Sequence, residues 1–165
     1  MLGNTLRSMI IIAVFAVTSF VLGLVKFGGT GSIALDAFPG YFVAAFFSPL
    51  LGGIVALLGH ILSAAVAGFP LGSAHILISL TQFSWAFIFG FIPKMINNIK
   101  FIFVSAVAVV FLNGYVSPVL IGFFYPEMKS FVLGLIPILT LASAINVSFA
   151  VGAVFFMRRM RRFSP

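Results

Sequence analysis

Asp36-Ala-Phe-Pro39-Gly40-Tyr41 opens a stretch that runs through Gly59-His60 to Gly68-Phe-Pro70-Leu-Gly72-Ser-Ala-His75. Apart from Asp36 it holds no Asp, Glu, Lys or Arg. Asp36, His60 and His75 therefore sit in an apolar surround, each close to a glycine or proline break. An ionisable group inside a bilayer is costly, and where one occurs it usually faces a cavity or the bundle interior. The stretch reads as the floor and rim of a small-molecule site in a membrane protein.

Composition supports the membrane part of that reading. The chain has 165 residues, 62% hydrophobic and only 7% charged, with a mean hydropathy of +1.30. A soluble domain carries charge on about a quarter of its residues, so this chain cannot cover a water-facing surface. Uncharged runs cover 8–25, 37–93, 101–126 and 130–157. A helical span needs ~20 apolar residues, and long continuous runs favour helices over the short alternating segments of a barrel.

The net charge of +7 does not point to nucleic acid. Arg158, Arg159, Arg161 and Arg162 cluster just after the last apolar run, the usual place of a cytoplasmic anchor against anionic headgroups. There is no cysteine, so cysteine usage says nothing of the redox compartment or of thiol chemistry. The first apolar run follows Arg7 but has no small-residue cleavage site after it, and it is read as a helix rather than a signal peptide.

Breaks divide the chain into a bundle of six transmembrane helices, all-α, forming one domain. The expected spans are about 7–26, 35–48, 50–67, 72–92, 101–121 and 131–157. Pro49 with Gly52-Gly53, and Gly68-Phe-Pro70-Leu-Gly72, punctuate the long second run. Span two is short, with Pro39-Gly40 near its start, and reads as tilted or partly re-entrant. Broken helices are tolerated where the backbone lines a cavity. In span one, Ala13, Ala16, Ser19 and Gly23 make a small flank that lets another helix approach. Span three carries Gly52, Ala56, His60, Ser63 and Ala67 on one face, and span four carries His75, Ser79 and Gln82 in a line with Trp85 on its flank.

Six spans put both termini on one side. Arg7, Lys94, Lys100 and the four terminal arginines share that side, which places it in the cytoplasm. Asp36, His60, His75 and Asn113 then fall in the outer part of the membrane, with Gln82 and Asn146 nearer its middle. This describes a cup opening outward, not a polar path across.

Catalysis has little to work with: two carboxylates, Asp36 and Glu127, far apart in sequence, and no phosphate-binding glycine loop. The two histidines lack close metal-ligand spacing, so no metal site is expected. Candidate ligand-binding residues are Asp36, Tyr41, His60, His75, Gln82, Trp85, Asn113 and Asn146. Each has a plain structural alternative. Asp36 suits a helix N-cap; His60, Gln82, Asn113 and Asn146 suit hydrogen bonding between helices; Tyr41 and Trp85 suit interface anchors. With no Lys or Arg inside a span, the pocket suits a neutral or weakly basic aromatic ligand bearing hydroxyls.

The chain resembles the S components of energy-coupling factor (ECF) transporters. The resemblance covers the architecture of nearly the whole chain. Its more specific part is Phe38-Pro-Gly40, Gly59-His60, Gly68-Phe-Pro70-Leu-Gly72 and His75, which look similar to the S components assigned to α-ribazole or dimethylbenzimidazole, precursors of cobalamin. The resemblance implies a non-enzymatic subunit of a bacterial cell membrane that captures a vitamin or precursor from outside. A transmembrane T component and two cytoplasmic ATPases would use ATP to drive release, so this chain needs no cofactor of its own. It also implies docking on the first helix. There the family's Ala-x-x-x-Ala is replaced by Ala13-x-x-Ala16, with Ser19 and Gly23 further along. The family's toppling motion would make 27–36 and 68–72 the lids. A structural or assembly subunit of a membrane complex is the rival expectation, with the polar residues acting only as helix glue.

Overall fold

The computed structural model describes residues 2–27 and 33–163. The glycine-rich segment 28–32, expected to form part of a lid, lies outside the described residues. The long helices are α1 (Leu2–Leu24), α3 (Pro49–Val66), α4 (Ala74–Met95) and α8 (Ile136–Phe163). A further continuous helical stretch joins a 3-10 turn (Ile99–Phe101), α5 (Ile102–Phe111), a π-helical segment (Leu112–Val116) and α6 (Ser117–Phe124). These make 5 helices long and apolar enough to cross a membrane, a multi-pass architecture. After α1, two short strands, β1 (Lys26–Phe27) and β2 (Ile33–Ala34), pair antiparallel.

Five of the six expected spans have a helix long enough to cross; the second, expected to be short or tilted, does not. The second, α2 (Phe38–Phe46), has 9 residues. At 1.5 Å per residue it is about 14 Å long, under half of the ~30 Å hydrocarbon core. Residues 35–37 are spent on an unwound connector and Phe47-Ser48 on the turn into Pro49. The sixth is also divided. Its beginning is a separate short helix, α7 (Lys129–Gly134), and α8 starts afresh with Pro137 in its first turn, where the missing N–H is harmless.

Short as it is, α2 is the centre of the bundle. Pro39 through Ala45 are all buried, and α2 packs against α3, α4, α8 and α1. A helix that is apolar all round belongs inside. The glycines of its neighbours make room for it. A Cβ at Gly52 or at Gly90 would collide with the backbone of Ala44, and one at Gly40 would press on Ala56.

The small flank of α1 is used in the same way, inside the chain. Ala16, Ser19 and Gly23 are buried, with Gly59 of α3 against Ser19 and Ser63 of α3 against Gly23. Three of the four residues expected to form a partner-docking flank are thus packed inside the bundle, and Ala13 alone is exposed. The outer stripe of α1, including Met9, Ile10, Val14, Val17 and Val21, faces away from the bundle.

Both ends of the chain lie at one end of the bundle. Asn4 and Arg7 share a cleft with Phe47, the Lys94 ammonium donates to the Phe47 carbonyl at 2.8 Å, and Lys94 shares a second cleft with Arg158. Helix stops follow local chemistry. Asn97 (φ 53) and Gly68 (φ 75) take the left-handed conformation, so that Asn98 N–H reaches Pro93 O and Phe69 N–H reaches Ala64 O, closing α4 and α3.

Close packing at Ala44 carries a testable cost. Gly52→Ala should lower stability by about 1–3 kcal/mol through overpacking, read as a lowered thermal midpoint in detergent. Gly152→Ala, where an added Cβ meets nothing within 4 Å, should be close to neutral.

Candidate functional site

A cavity of ≈ 270 Å³ lies at the end of the bundle opposite the chain termini, near the lower limit for small-molecule sites. Its walls come from α3, α4, α8, the π-segment with α6, and the connector before α2. Asp36, His60, His75, Gln82, Asn113 and Asn146 all line it, as their exceptional polarity in apolar runs suggests. Ala64, Ile78, Pro118, Ile121 and Leu139 supply apolar wall, and no Lys or Arg is among the lining residues.

Asn146 is the most heavily used of these. Its Oδ1 accepts from Phe38 N–H at 2.8 Å, and its Nδ2 donates to Ala34 O at 2.7 Å and to Ala142 O at 2.9 Å. Phe38 is the first residue of α2, whose N–H has no partner within the helix. Asn146 thus caps α2 from α8, across more than 100 positions of sequence. Asp36 is not the N-cap; Ala37 holds that position, with no side-chain cap of its own. Asp36 sits half-buried in the cavity wall, and its carbonyl accepts from the Ser19 hydroxyl.

The histidines form a directional chain. The backbone N–H of Leu71 lies 3.3 Å from His75 Nε2, and His75 Nδ1 lies 3.1 Å from His60 Nε2. A backbone amide only donates, so His75 Nε2 is the acceptor. With both rings neutral, His75 carries its proton on Nδ1 and donates to His60 Nε2. His60 is left with its proton on Nδ1, a donor on a ring that lines the cavity. The chain also ties the turn between α3 and α4 to the site, since Phe69 stands edge-on to the His75 ring at 5.8 Å between centroids. Gly72 (φ 54) supplies the left-handed residue that this turn needs.

On the far wall, Gln82 Nε2 donates to Asn113 Oδ1 at 3.2 Å. Asn113 is presented by the π-helical segment just ahead of Pro118, whose ring clashes with the carbonyl four residues earlier and displaces the regular ladder. Gly114 in that segment sits against Thr140 of α8. Two cavity-lining oxygens, Ser63 Oγ and Gln82 Oε1, are buried with no protein hydrogen-bond partner, and a third, Ser143 Oγ, has only the Tyr41 hydroxyl beside it. An unsatisfied buried polar group costs about 1–3 kcal/mol, so polar groups on a ligand would be received at these oxygens.

Two expected site residues do not line the cavity. Tyr41 is fully buried, edge-on to Phe89 at 5.4 Å, with its hydroxyl beside Ser143 on the protein side of the wall. Trp85 donates through Nε1 to Ser117 Oγ at 2.7 Å and so braces a lining residue from behind. Ser63 and Ser143, in turn, are lining residues outside the expected set. Each stands three positions from a named one, His60 and Asn146, on the same helix face. Among the described residues no group of three metal-ligating side chains comes together. No protein-family model and no curated protein matches the chain.

Two outcomes test this geometry. Asn146→Leu strips Phe38 N–H and Ala34 O of their partner, and should cost at least ~1–3 kcal/mol, measured as thermal unfolding in detergent. In ¹⁵N spectra, His60 should show the Nδ1–H tautomer. His75→Phe should abolish that preference and speed exchange of the Leu71 amide about fivefold, the equivalent of one ~1 kcal/mol hydrogen bond; His60→Phe should leave the Leu71 amide unchanged.

Proposed function

We propose that this chain is the substrate-binding S component of an ECF-type importer, capturing an uncharged, hydroxyl-bearing aromatic molecule from outside the cell membrane. The observation that carries the reading is the cavity itself. It has apolar walls, one carboxylate, a histidine donor and the unpartnered oxygens of Ser63 and Gln82, and it sits at the end of the bundle opposite Lys94 and Arg158. Such a site binds by hydrogen bonds and apolar contact, and offers nothing to balance a phosphate.

The positive-inside tendency places the end bearing Arg7, Lys94, Lys100, Arg158 and Arg159 in the cytoplasm, together with both termini. The cavity then opens outward, toward the supply of ligand. The turn 68–72 covers its rim, held by the Leu71–His75 bond. The resemblance to S components suggests α-ribazole or dimethylbenzimidazole as the ligand, and a T component with two ATPases as partners. With Ala16, Ser19 and Gly23 occupied inside the bundle, the outer stripe of α1 around Ala13, Val14 and Val17 is the surface left for such a partner on that helix.

Mass spectrometry of small molecules released from gently purified protein should find an aromatic base, with or without a sugar, at near-equimolar amount. Gln82→Leu and Ser143→Ala should each weaken its binding by about 5- to 20-fold, the equivalent of a lost hydrogen bond of ~1–2 kcal/mol. A different uncharged vitamin would keep the capture function and replace the substrate. A protein that carries nothing and ignores a panel of vitamins and precursors would favour a structural subunit instead.

A further inference from the structure

The cationic end of the bundle holds a second cavity, of ≈ 410 Å³, that the ligand-capture reading does not use. It lies between the end of α4, the turn into α5, the last part of α8 and the end of α2. Lys94, Arg158, Asn97, Asn98 and Ala45 are among its lining residues. Lys94 and Arg158 are near enough to repel one another, and Lys94 is held in place by its bond to Phe47 O.

Among the described residues no acidic side chain lies beside those two cations. The sequence contains only two, Asp36 and Glu127. Asp36 lines the cavity at the opposite end, and Glu127 lies in the 3-10 turn between α6 and α7, also at that end. The cleft is therefore open to an anion supplied by another molecule. The side chains one turn below the cations show which kind. Phe91 stands three residues before Lys94, and Phe155 three before Arg158, so each lies on the same helix face nearer the bilayer. Both are exposed, and Phe155 stacks on Phe103 of α5 at 5.7 Å, so apolar surface lies one turn from each cation. Charge above and aromatic surface below match a phosphate with acyl chains attached.

We propose that the cleft between Lys94 and Arg158 is a binding site for the phosphate headgroup of an anionic phospholipid, whose acyl chains lie along the Phe91 and Phe155 surface. By bridging the two cations the phosphate relieves their repulsion and joins the ends of α4 and α8. The amides of Asn97 and Asn98 offer neutral donors beside it. The inference does not depend on what the other cavity binds.

The test uses the full chain in detergent, with phosphatidylglycerol, phosphatidylcholine and inorganic phosphate as probes. Native mass spectrometry should show phosphatidylglycerol retained in preference to phosphatidylcholine, and only phosphatidylglycerol should raise the thermal midpoint. Lys94→Gln and Arg158→Gln should each weaken retention about fivefold, as expected for one cation near an anionic headgroup. Glutamine at 94 keeps a donor for Phe47 O, and Arg158→Gln leaves that bond untouched, so loss of retention would not reflect unfolding. Lys129→Gln, at the opposite end, should change nothing. Equal retention of the two lipids, an equal effect of inorganic phosphate, or full retention by the double variant would each overturn the proposal.

Discussion

The structure depends on how one break in the backbone is satisfied. Between Ala34 and Phe38 the chain is unwound, half-buried between the cavity and the neighbouring helices. In a bilayer every N–H and C=O without a partner costs several kcal/mol. Asn146 resolves this from across the bundle, accepting from Phe38 N–H and donating to Ala34 O. One amide side chain does both because it carries a donor and an acceptor in one plane. The bond from Ser19 to the Asp36 carbonyl completes the arrangement from α1. With the break held on two sides, α2 can be short, and the room that a full helix would have filled becomes part of the cavity wall.

A short central helix needs close neighbours. Apolar side chains gain little by packing against each other rather than against lipid, so helices in a membrane are held by backbone proximity and hydrogen bonds. Ala44 is the point of closest approach, met by Gly52 from α3 and Gly90 from α4. Small residues at these positions leave the large aromatics, such as Phe123, Phe156 and Phe111, for the outer surface.

The two ends of the bundle are chemically opposite. One carries both acidic side chains, the histidine chain and the unpartnered oxygens; the other carries Lys94 and Arg158 with no acidic side chain beside them among the described residues. The π-segment at Asn113 and the turn at 68–72 are the irregular pieces at the first end, and both serve to place polar groups at the cavity. Irregular backbone at membrane depth is sustained where it lines a cavity or is buried in protein, as both pieces illustrate.

Much of this was legible in the sequence because polar residues in apolar runs are rare and costly. Asp36, His60, His75, Gln82 and Asn113 stand out for that reason, and all line the cavity. Gly68 and Pro49 announced their helix boundaries through backbone restrictions that act locally. Tyr41 and Trp85 could not be sorted the same way, since an aromatic ring with a polar tip reads alike in a core, at an interface or in a pocket. The stripe of Ala16, Ser19 and Gly23 announced that a helix approaches α1, but not that the helix is this chain's own α3. Composition and periodicity determined a helical membrane chain with a polar cluster toward one end. Tertiary structure decided that α2 stops at nine residues, that Asn146 clamps rather than merely lines, and that the histidines form one directed chain. Those outcomes rest on pairings between residues far apart in sequence, and the partner of a hydrogen bond is set by where the helices meet.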